Sequence, residues 1–93
     1  MTDIKDTIAD AYEGDELLFA DGMDDAIAGV VHHFNGVSVV YDLEKVLELL
    51  QAQGMEYDEA EEWWSFNMIG GYVGSSTPMY FVPTARIKEL YGV

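Results

Sequence analysis

The dipeptide Asn35-Gly36, set between two apolar runs, constrains the fold of this chain most strongly. Residues 26–34 and 37–41 contain no Asp, Glu, Lys or Arg and are rich in valine. Asn-Gly between such runs is the strongest short signal for a β-hairpin. A two-residue turn at Asn35-Gly36 pairs Phe34 with Val37, so the sequence predicts two antiparallel strands joined at this point.

The adjacent His32 and His33 are the first candidates for chemistry, because imidazoles bind metals and act as acids or bases near neutral pH. Neighbouring side chains on a strand point to opposite faces of the sheet. The two rings therefore cannot easily share one metal ion. The pattern favours structural or surface roles, with His33 paired to Ser38 and His32 to Val39 across the hairpin.

Apolar residues at helical spacing occur on both sides of the hairpin. They predict helices over about 3–13, 42–53 and 57–68, and a short one near 85–91, while 79–82 reads as a short strand. The expected N-cap residues are Thr2, Asp42, Glu56 and Thr84. The apolar run 17–20 is either a strand or a buried extended link. We expect one domain, 1–93, with an α+β fold: a small antiparallel sheet of three to four strands and three to four helices packed on it.

Charge is distributed very unevenly along the chain. The 18 Asp and Glu against 4 Lys and Arg give a net charge of −14, with nine acidic residues in 1–25 and eight in 42–62. Binding to nucleic acids requires Lys and Arg that displace counterions, so direct contact with nucleic acid is not expected, nor is binding to an anionic membrane. A basic protein, attracted by the long-range field, is the natural partner. The alternative is that the acidic residues only keep the protein in solution.

Two segments invite a ligand-binding interpretation. Asp21, Asp24 and Asp25 lie within five residues, but they lack the ligand spacing of a calcium loop, so a turn is favoured. The loop from Gly70 to Pro78 is rich in glycine, yet no lysine follows the glycines as in a phosphate-binding loop. The chain also has no cysteine, which excludes thiol nucleophiles and disulfides. We expect no cofactor, no metal and no enzymatic activity.

The stretch 56–68 is an amphipathic helix that contains both tryptophans. Its apolar face carries Tyr57, Ala60, Trp64 and Asn67, with Trp63 at the edge. The simplest interpretation is that the tryptophans supply core area. Phe66 instead lies about 120° from Ala60, among the acidic residues, which predicts an exposed aromatic contact point.

Two features of the 42–53 helix are not explained by packing on a single core. Leu49 lies off the apolar stripe of Leu43, Val46, Leu47 and Leu50, which indicates a second contact surface on this helix. Glu44 and Glu48 are one helical turn apart with no basic residue at the same spacing, which is a mildly unfavourable like-charge pair. A function that needs the charge is one reason for a sequence to keep such a pair.

Three blocks of the chain together resemble small acidic proteins of unknown role encoded by tailed bacteriophages. The blocks are LFADGMDDAIAGV at 18–30, VYDLEKV at 40–46 and AEEWWSFNM at 60–68, the last continuing through Gly70, Tyr72-Val73-Gly74 and Thr77-Pro78. The resemblance covers 15–82 and transfers no site residue. It implies a phage origin and a role in the cytoplasm of the infected bacterium, where small acidic phage proteins often bind host enzymes, sometimes by imitating the charge of DNA.

The favoured hypothesis is an acidic phage protein that binds and inhibits or redirects a basic host factor, such as a defence enzyme or another DNA-binding enzyme. One alternative is a small-molecule or metal-binding domain, or small enzyme, that uses the loop from Gly70 to Pro78 with Asp21, Asp24 or a histidine. The other is a structural or assembly homodimer that uses Leu49, Phe66 and strand edges. The candidate partner-binding residues are Asp21, Asp24, Asp25, Glu44, Glu48, Asp58, Glu59, Glu61, Glu62 and Phe66.

Overall fold

The predicted α+β class is confirmed by the arrangement of helices and strands. A computed structural model describes residues 3–34, 36–69, 74 and 76–92, without the side chain of Ile69. Its elements are α1 (Ile4–Ala11), β1 (Ile27–His33), β2 (Gly36–Asp42), α2 (Leu43–Ala52), α3 (Tyr57–Trp64), β3 (Met79–Phe81) and α4 (Thr84–Tyr91). A 3-10 turn, Asp24–Ala26, precedes β1, and a π-helical turn, Ser65–Ile69, continues α3. Within these ranges no helix combines the length and the apolar character needed to cross a membrane.

The three strands form one sheet in the order β1-β2-β3. β1 and β2 are antiparallel, whereas β3 runs parallel to β2, with Tyr80 opposite Tyr41. The sheet is therefore mixed, and the expectation of a purely antiparallel sheet was wrong for β3. The reason lies in the connection: α2 and α3 carry the chain back across the sheet before β3, and a helical crossover of this kind joins parallel neighbours.

The hairpin is present, but its strand register differs from the predicted one. His33 pairs with Gly36, His32 with Val37 and Val30 with Val39. The predicted pairing was therefore wrong by two residues, and Phe34 lies beyond the end of β1 with its side chain fully exposed. A shift of two residues leaves every side chain on the same face of the sheet, so the apolar pattern does not distinguish the two registers.

The core lies between α1, α2 and α3 and the face of the sheet that carries Val39 and Tyr41. The buried cluster consists of Ile8, Met23, Ala26, Val39, Tyr41, Val46, Leu47, Leu50 and Ala60. The segment 17–20 is a partly buried extended link, one of the two forms expected from its sequence. The hydroxyl oxygen of Tyr41 accepts a hydrogen bond from the backbone N of Ala20 at 2.7 Å, which fixes the end of this link against the core.

Of the four predicted N-cap residues, Asp42 and Glu56 are confirmed, whereas those of α1 and α4 are corrected. Asp42 caps α2 as predicted, its Oδ1 accepting from the backbone N of Glu44 at 3.0 Å. Glu59 Oε1 accepts from the backbone N of Glu56 at 3.2 Å, which is one half of a capping box. The N-cap of α1 is Asp3, because its carboxylate is as good an acceptor as a Thr hydroxyl; Thr2 lies outside the described residues. α4 begins one residue early, at Thr84, with Pro83 in the N-cap position.

Candidate functional site

A four-residue turn at 20–23 positions the Asp21 carboxylate. The backbone N of Met23 donates to Ala20 O at 3.3 Å, and Gly22 has a φ of +76°, which other residues rarely adopt. The Met23 side chain is buried in the core, and Tyr41 holds the backbone of Ala20. Both ends of the turn are therefore anchored, while Asp21 stays exposed. The turn predicted here is confirmed.

The two tryptophans at the end of α3 differ in burial, and the π-helical turn that follows them shifts the position of Asn67. Trp64 is partly buried against the core, and its ring meets that of Tyr80 edge to face at 5.7 Å. Trp63 is 40% exposed. Asn67, predicted on the buried face, is exposed and donates from Nδ2 to Trp63 O at 3.0 Å. That prediction was wrong because the wider π turn rotates each residue by less than the 100° assumed for an α-helix.

One side of Trp63 borders a hollow of about 240 Å³, here called the Asp21 hollow. Its lining includes Ala20, Asp21, Trp63, Met68, Pro78 and Tyr80. Sites for drug-sized ligands usually have volumes of roughly 300–1,000 Å³. The Asp21 hollow lies below this range.

Trp63 also borders a second, more open hollow of about 300 Å³, here called the Glu62 hollow. It is lined by Glu59, Glu62, Trp63, Phe66 and Asn67. Phe66 is 76% exposed, which confirms the predicted exposed aromatic. Trp63 lines both hollows. The fold therefore brings Asp21, from the first acidic block (1–25), and Glu59 and Glu62, from the second acidic block (42–62), to hollows that share one indole ring.

Glu44 differs from the other candidate carboxylates because it is paired within the chain. Its Oε1 accepts from Arg86 Nε at 3.1 Å, and Arg86 Nη1 bonds Glu89 Oε2 at 2.9 Å. Partial burial, followed by the charges of Glu61 and Glu44, raises the pKa of the nearby Tyr57. Tyr57 itself is 40% exposed and does not lie on the buried face as predicted. The sequence shows no basic residue one helical turn from Glu44. Arg86 is nevertheless its partner, because α4 brings this distant residue to the end of α2.

The remaining candidate carboxylates do not line either hollow. Asp25, Glu48, Asp58 and Glu61 are exposed and line neither of the two hollows. Asp24 is half-buried in the 3-10 turn, and its Oδ1 is buried without a hydrogen-bond partner among the described residues.

Leu49 does not form the second contact surface that its position on the helix indicated. Its side chain is partly buried and packs against the core. The prediction was wrong because α2 contacts both β2 and α3, so a wider arc of the helix is covered than one apolar stripe.

The two histidines occupy opposite faces, as predicted from strand geometry. His32 is exposed with its Nε2 3.2 Å from the hydroxyl oxygen of Tyr12, whereas His33 Nε2 lies 3.0 Å from Ser38 Oγ. In the part of the chain that the structure describes, no three His, Asp or Glu side chains are grouped so that they could hold a metal ion. The phosphate-loop interpretation concerns 70–73 and 75, which lie outside the described residues.

The walls of the Asp21 hollow are uncharged apart from the carboxylate itself. Burial, with a smaller contribution from Tyr41, raises the pKa of Tyr80 to about 12, so its hydroxyl is neutral at physiological pH. Burial also raises the pKa of Tyr41, with Asp24 and Asp21 contributing in the same direction and the hydrogen bond from Ala20 opposing. The negative charge of this hollow therefore comes from Asp21 alone.

Sequence reasoning missed Trp63 as the centre of the surface. The spacing of Glu59 to Trp63 and of Glu62 to Phe66 is four residues in each case. Residues four apart on a helix are neighbours, and this signal was sufficient to find the Glu62 hollow. No local signal joins Asp21 to Pro78 and Tyr80, since that contact depends on the tertiary fold.

No family model, no curated protein and no solved structure matches this chain. The resemblance to small acidic phage proteins stays a prediction from the sequence. Fold and surface together define a small α+β protein whose exposed aromatic residues are bordered by carboxylates.

Proposed function

We propose that this protein binds a basic protein through Trp63, Phe66 and the carboxylates beside them, and thereby inhibits or redirects a host factor in an infected bacterium. One observation carries the proposal: Trp63, with Asn67, lines two hollows, one of which also contains Asp21 and the other Glu59 and Glu62. Both acidic blocks of the sequence therefore contribute to one surface.

The aromatic side chains are the expected source of affinity in such a contact. Tryptophan and other aromatic residues dominate the binding energy of protein interfaces when water is excluded around them. Trp63 is 40% and Phe66 76% exposed, so both have apolar area left to bury. The surrounding carboxylates contribute to association rate and partner choice, and their effect falls with salt.

A local patch fits this fold better than imitation of a DNA duplex. DNA mimicry requires carboxylates along an elongated face, with one negative charge per roughly 1.7 Å of duplex axis. The fold measures 39 × 32 × 30 Å and is nearly isometric. Glu44, moreover, is paired with Arg86 at 3.1 Å. We therefore favour a partner that meets the surface around Trp63.

The second candidate function is binding of a small molecule, and a specific observation favours it. That hypothesis requires a cleft joining Asp21 to the end of the loop before β3, and the Asp21 hollow is lined by both Asp21 and Pro78. Homodimerisation through Leu49 has less support, because Leu49 packs against the core.

The proposal is tested by capture from a bacterial lysate with two charge-matched variants. The first combines Asp21→Asn, Glu59→Gln and Glu62→Gln at the two hollows. The control combines Asp25→Asn, Glu48→Gln and Asp58→Asn at exposed carboxylates elsewhere. Each removes three of the negative charges that make the net charge −14, leaving −11.

We expect the wild-type protein and the control variant to capture the same basic protein at low salt, and the hollow variant to lose it. Addition of 1 M salt, which reduces the Debye length to about 3 Å, should release the partner. Equal capture by the two variants would show that net charge alone attracts the partner. Absence of any basic partner from the wild-type sample would contradict the proposal itself.

A further inference from the structure

The Asp21 hollow combines three properties that together select one kind of ligand. It is small, its walls are mainly apolar and aromatic, and the one charged side chain among the described residues of its lining is a carboxylate. We propose that this hollow binds a single organic cation carried on an aliphatic stem, which is the form of a lysine or arginine side chain of the basic partner. This inference rests on the proposed function and specifies the chemistry of the partner at the same surface.

The walls suit the stem of such a side chain. Met68 and Pro78 supply apolar surface, and the buried Met23 closes the hollow toward the core. Lysine and arginine bury their methylene stems against apolar surface while the charged head stays near polar groups. The volume of about 240 Å³ is large enough to admit one such side chain.

The rings of Trp63 and Tyr80 suit the charged head. A cation within about 6 Å of an aromatic ring face is attracted by the quadrupole of the ring, most strongly by tryptophan. Tyr80 contributes a neutral ring because its hydroxyl remains protonated at physiological pH. Asp21 is exposed and can pair with the head of the incoming side chain.

No cation of the chain itself competes for this position among the described residues. Lys5 Nζ lies 5.3 Å from the centroid of the Phe19 ring, and Arg86 is engaged by Glu44 and Glu89. None of the four basic side chains lines the hollow. A metal ion is a poor alternative, since calcium requires six to eight oxygen ligands and the lining provides one carboxylate.

The test uses n-butylammonium and n-butylguanidinium as probes, with n-butanol as the uncharged control. Binding is followed by the NMR signal of the Trp63 indole N–H, assigned by comparison with Trp64→Phe. If that variant does not fold, Trp63→Phe provides the same assignment. The protein variants are Asp21→Asn at the hollow and Asp25→Asn, which neutralises an exposed carboxylate of the same acidic block that does not line it.

We expect both cations to shift the Trp63 signal saturably, with dissociation constants on the order of millimolar for so small a ligand. Asp21→Asn should weaken binding roughly tenfold, because a charge-assisted contact is lost, whereas Asp25→Asn should change it less than about twofold. Butanol should cause no saturable shift at the same concentrations.

Three results would overturn the inference: equal effects of the two Asp variants, saturable binding of butanol, or loss of binding with Glu62→Gln in place of Asp21→Asn. The last would place the cation in the Glu62 hollow. The two proposals fail separately. If the probes ignore Asp21 while lysate capture still depends on the triple hollow variant, only the cation assignment is wrong. If the probes bind as expected while both triple variants capture alike, the cation site stands and the proposed function is wrong.

Discussion

The raised pKa of Tyr80 provides the most direct test of whether this side chain is buried in the wall of the Asp21 hollow. Burial raises the pKa of Tyr80 from 10.0 to about 12, so the folded state favours the neutral phenol. A pKa raised in the folded state stabilises the protein fully below the unfolded pKa, and this stability is lost as the pH rises through the folded pKa. At about 1.36 kcal/mol per pKa unit, the raised pKa corresponds to a total of roughly 2.7 kcal/mol, which is lost progressively between about pH 9 and 13, and about 1.4 kcal/mol of it is lost by pH 11.

The variant Tyr80→Phe removes this titration while retaining the ring. The free energy of unfolding, measured by urea denaturation at pH 8 and pH 11, should fall by about 1.4 kcal/mol less in Tyr80→Phe than in the wild-type protein. The control is Tyr91→Phe, since Tyr91 is 73% exposed on α4. If the wild-type protein and Tyr80→Phe lose stability in parallel over this range, Tyr80 is not buried as the structure has it.

Three further substitutions and one change of solvent test the core, a helix cap and the binding surface. Leu50→Ala, at a side chain 1% exposed, should lower the free energy of unfolding by about 2–5 kcal/mol in urea denaturation, and a loss below about 1 kcal/mol would contradict the core assignment. Asp42→Ala should cost about 0.5–2 kcal/mol, whereas Asp42→Asn, which keeps the acceptor, should cost little in the same assay. Phe66→Ser should change stability by less than about 0.5 kcal/mol and still weaken lysate capture, so a large loss of stability would show that Phe66 packs against the fold. Raising the salt concentration should increase the melting temperature by screening repulsion among the carboxylates while it weakens capture, and a change of both in the same direction would argue against a charge-dependent interface.

The elements that the sequence predicted correctly are those fixed by local signals. Asp42 begins α2 because its carboxylate accepts from backbone N–H groups two and three residues on, and that signal is present in the sequence itself. The same holds for the turn at Gly22, where a positive φ requires glycine. The hairpin is predictable for this reason, but its register is not, since pairing His33 with Gly36 or with Ser38 leaves the same faces buried.

Features that depend on distant parts of the chain were not predictable. The parallel pairing of Tyr41 with Tyr80 depends on how α2 and α3 return the chain to the sheet. The ion pair between Glu44 and Arg86 joins residues 42 positions apart. Asn67 was misplaced because a π turn interrupts the helical period, and π turns occur frequently at functional sites. The acidic blocks were visible in the sequence, but their meeting at Trp63 was not.

The positions of the basic side chains determine which carboxylates of this protein are left unpaired. Within the described ranges, both ion pairs belong to Arg86, which bonds Glu44 and Glu89 on the side of the protein where α4 meets α2. The chain therefore compensates its own charge at one place and leaves the carboxylates beside Trp63 without a basic partner from these residues. Unpaired carboxylates beside exposed aromatic rings lose little by meeting a cation, because the attraction of the cation offsets the cost of removing the carboxylates from water. A basic side chain from another protein is thus favoured at Trp63 and has less to gain at Glu44. Under the proposed function, the contact site for a basic partner therefore follows from where this chain places its own few cations.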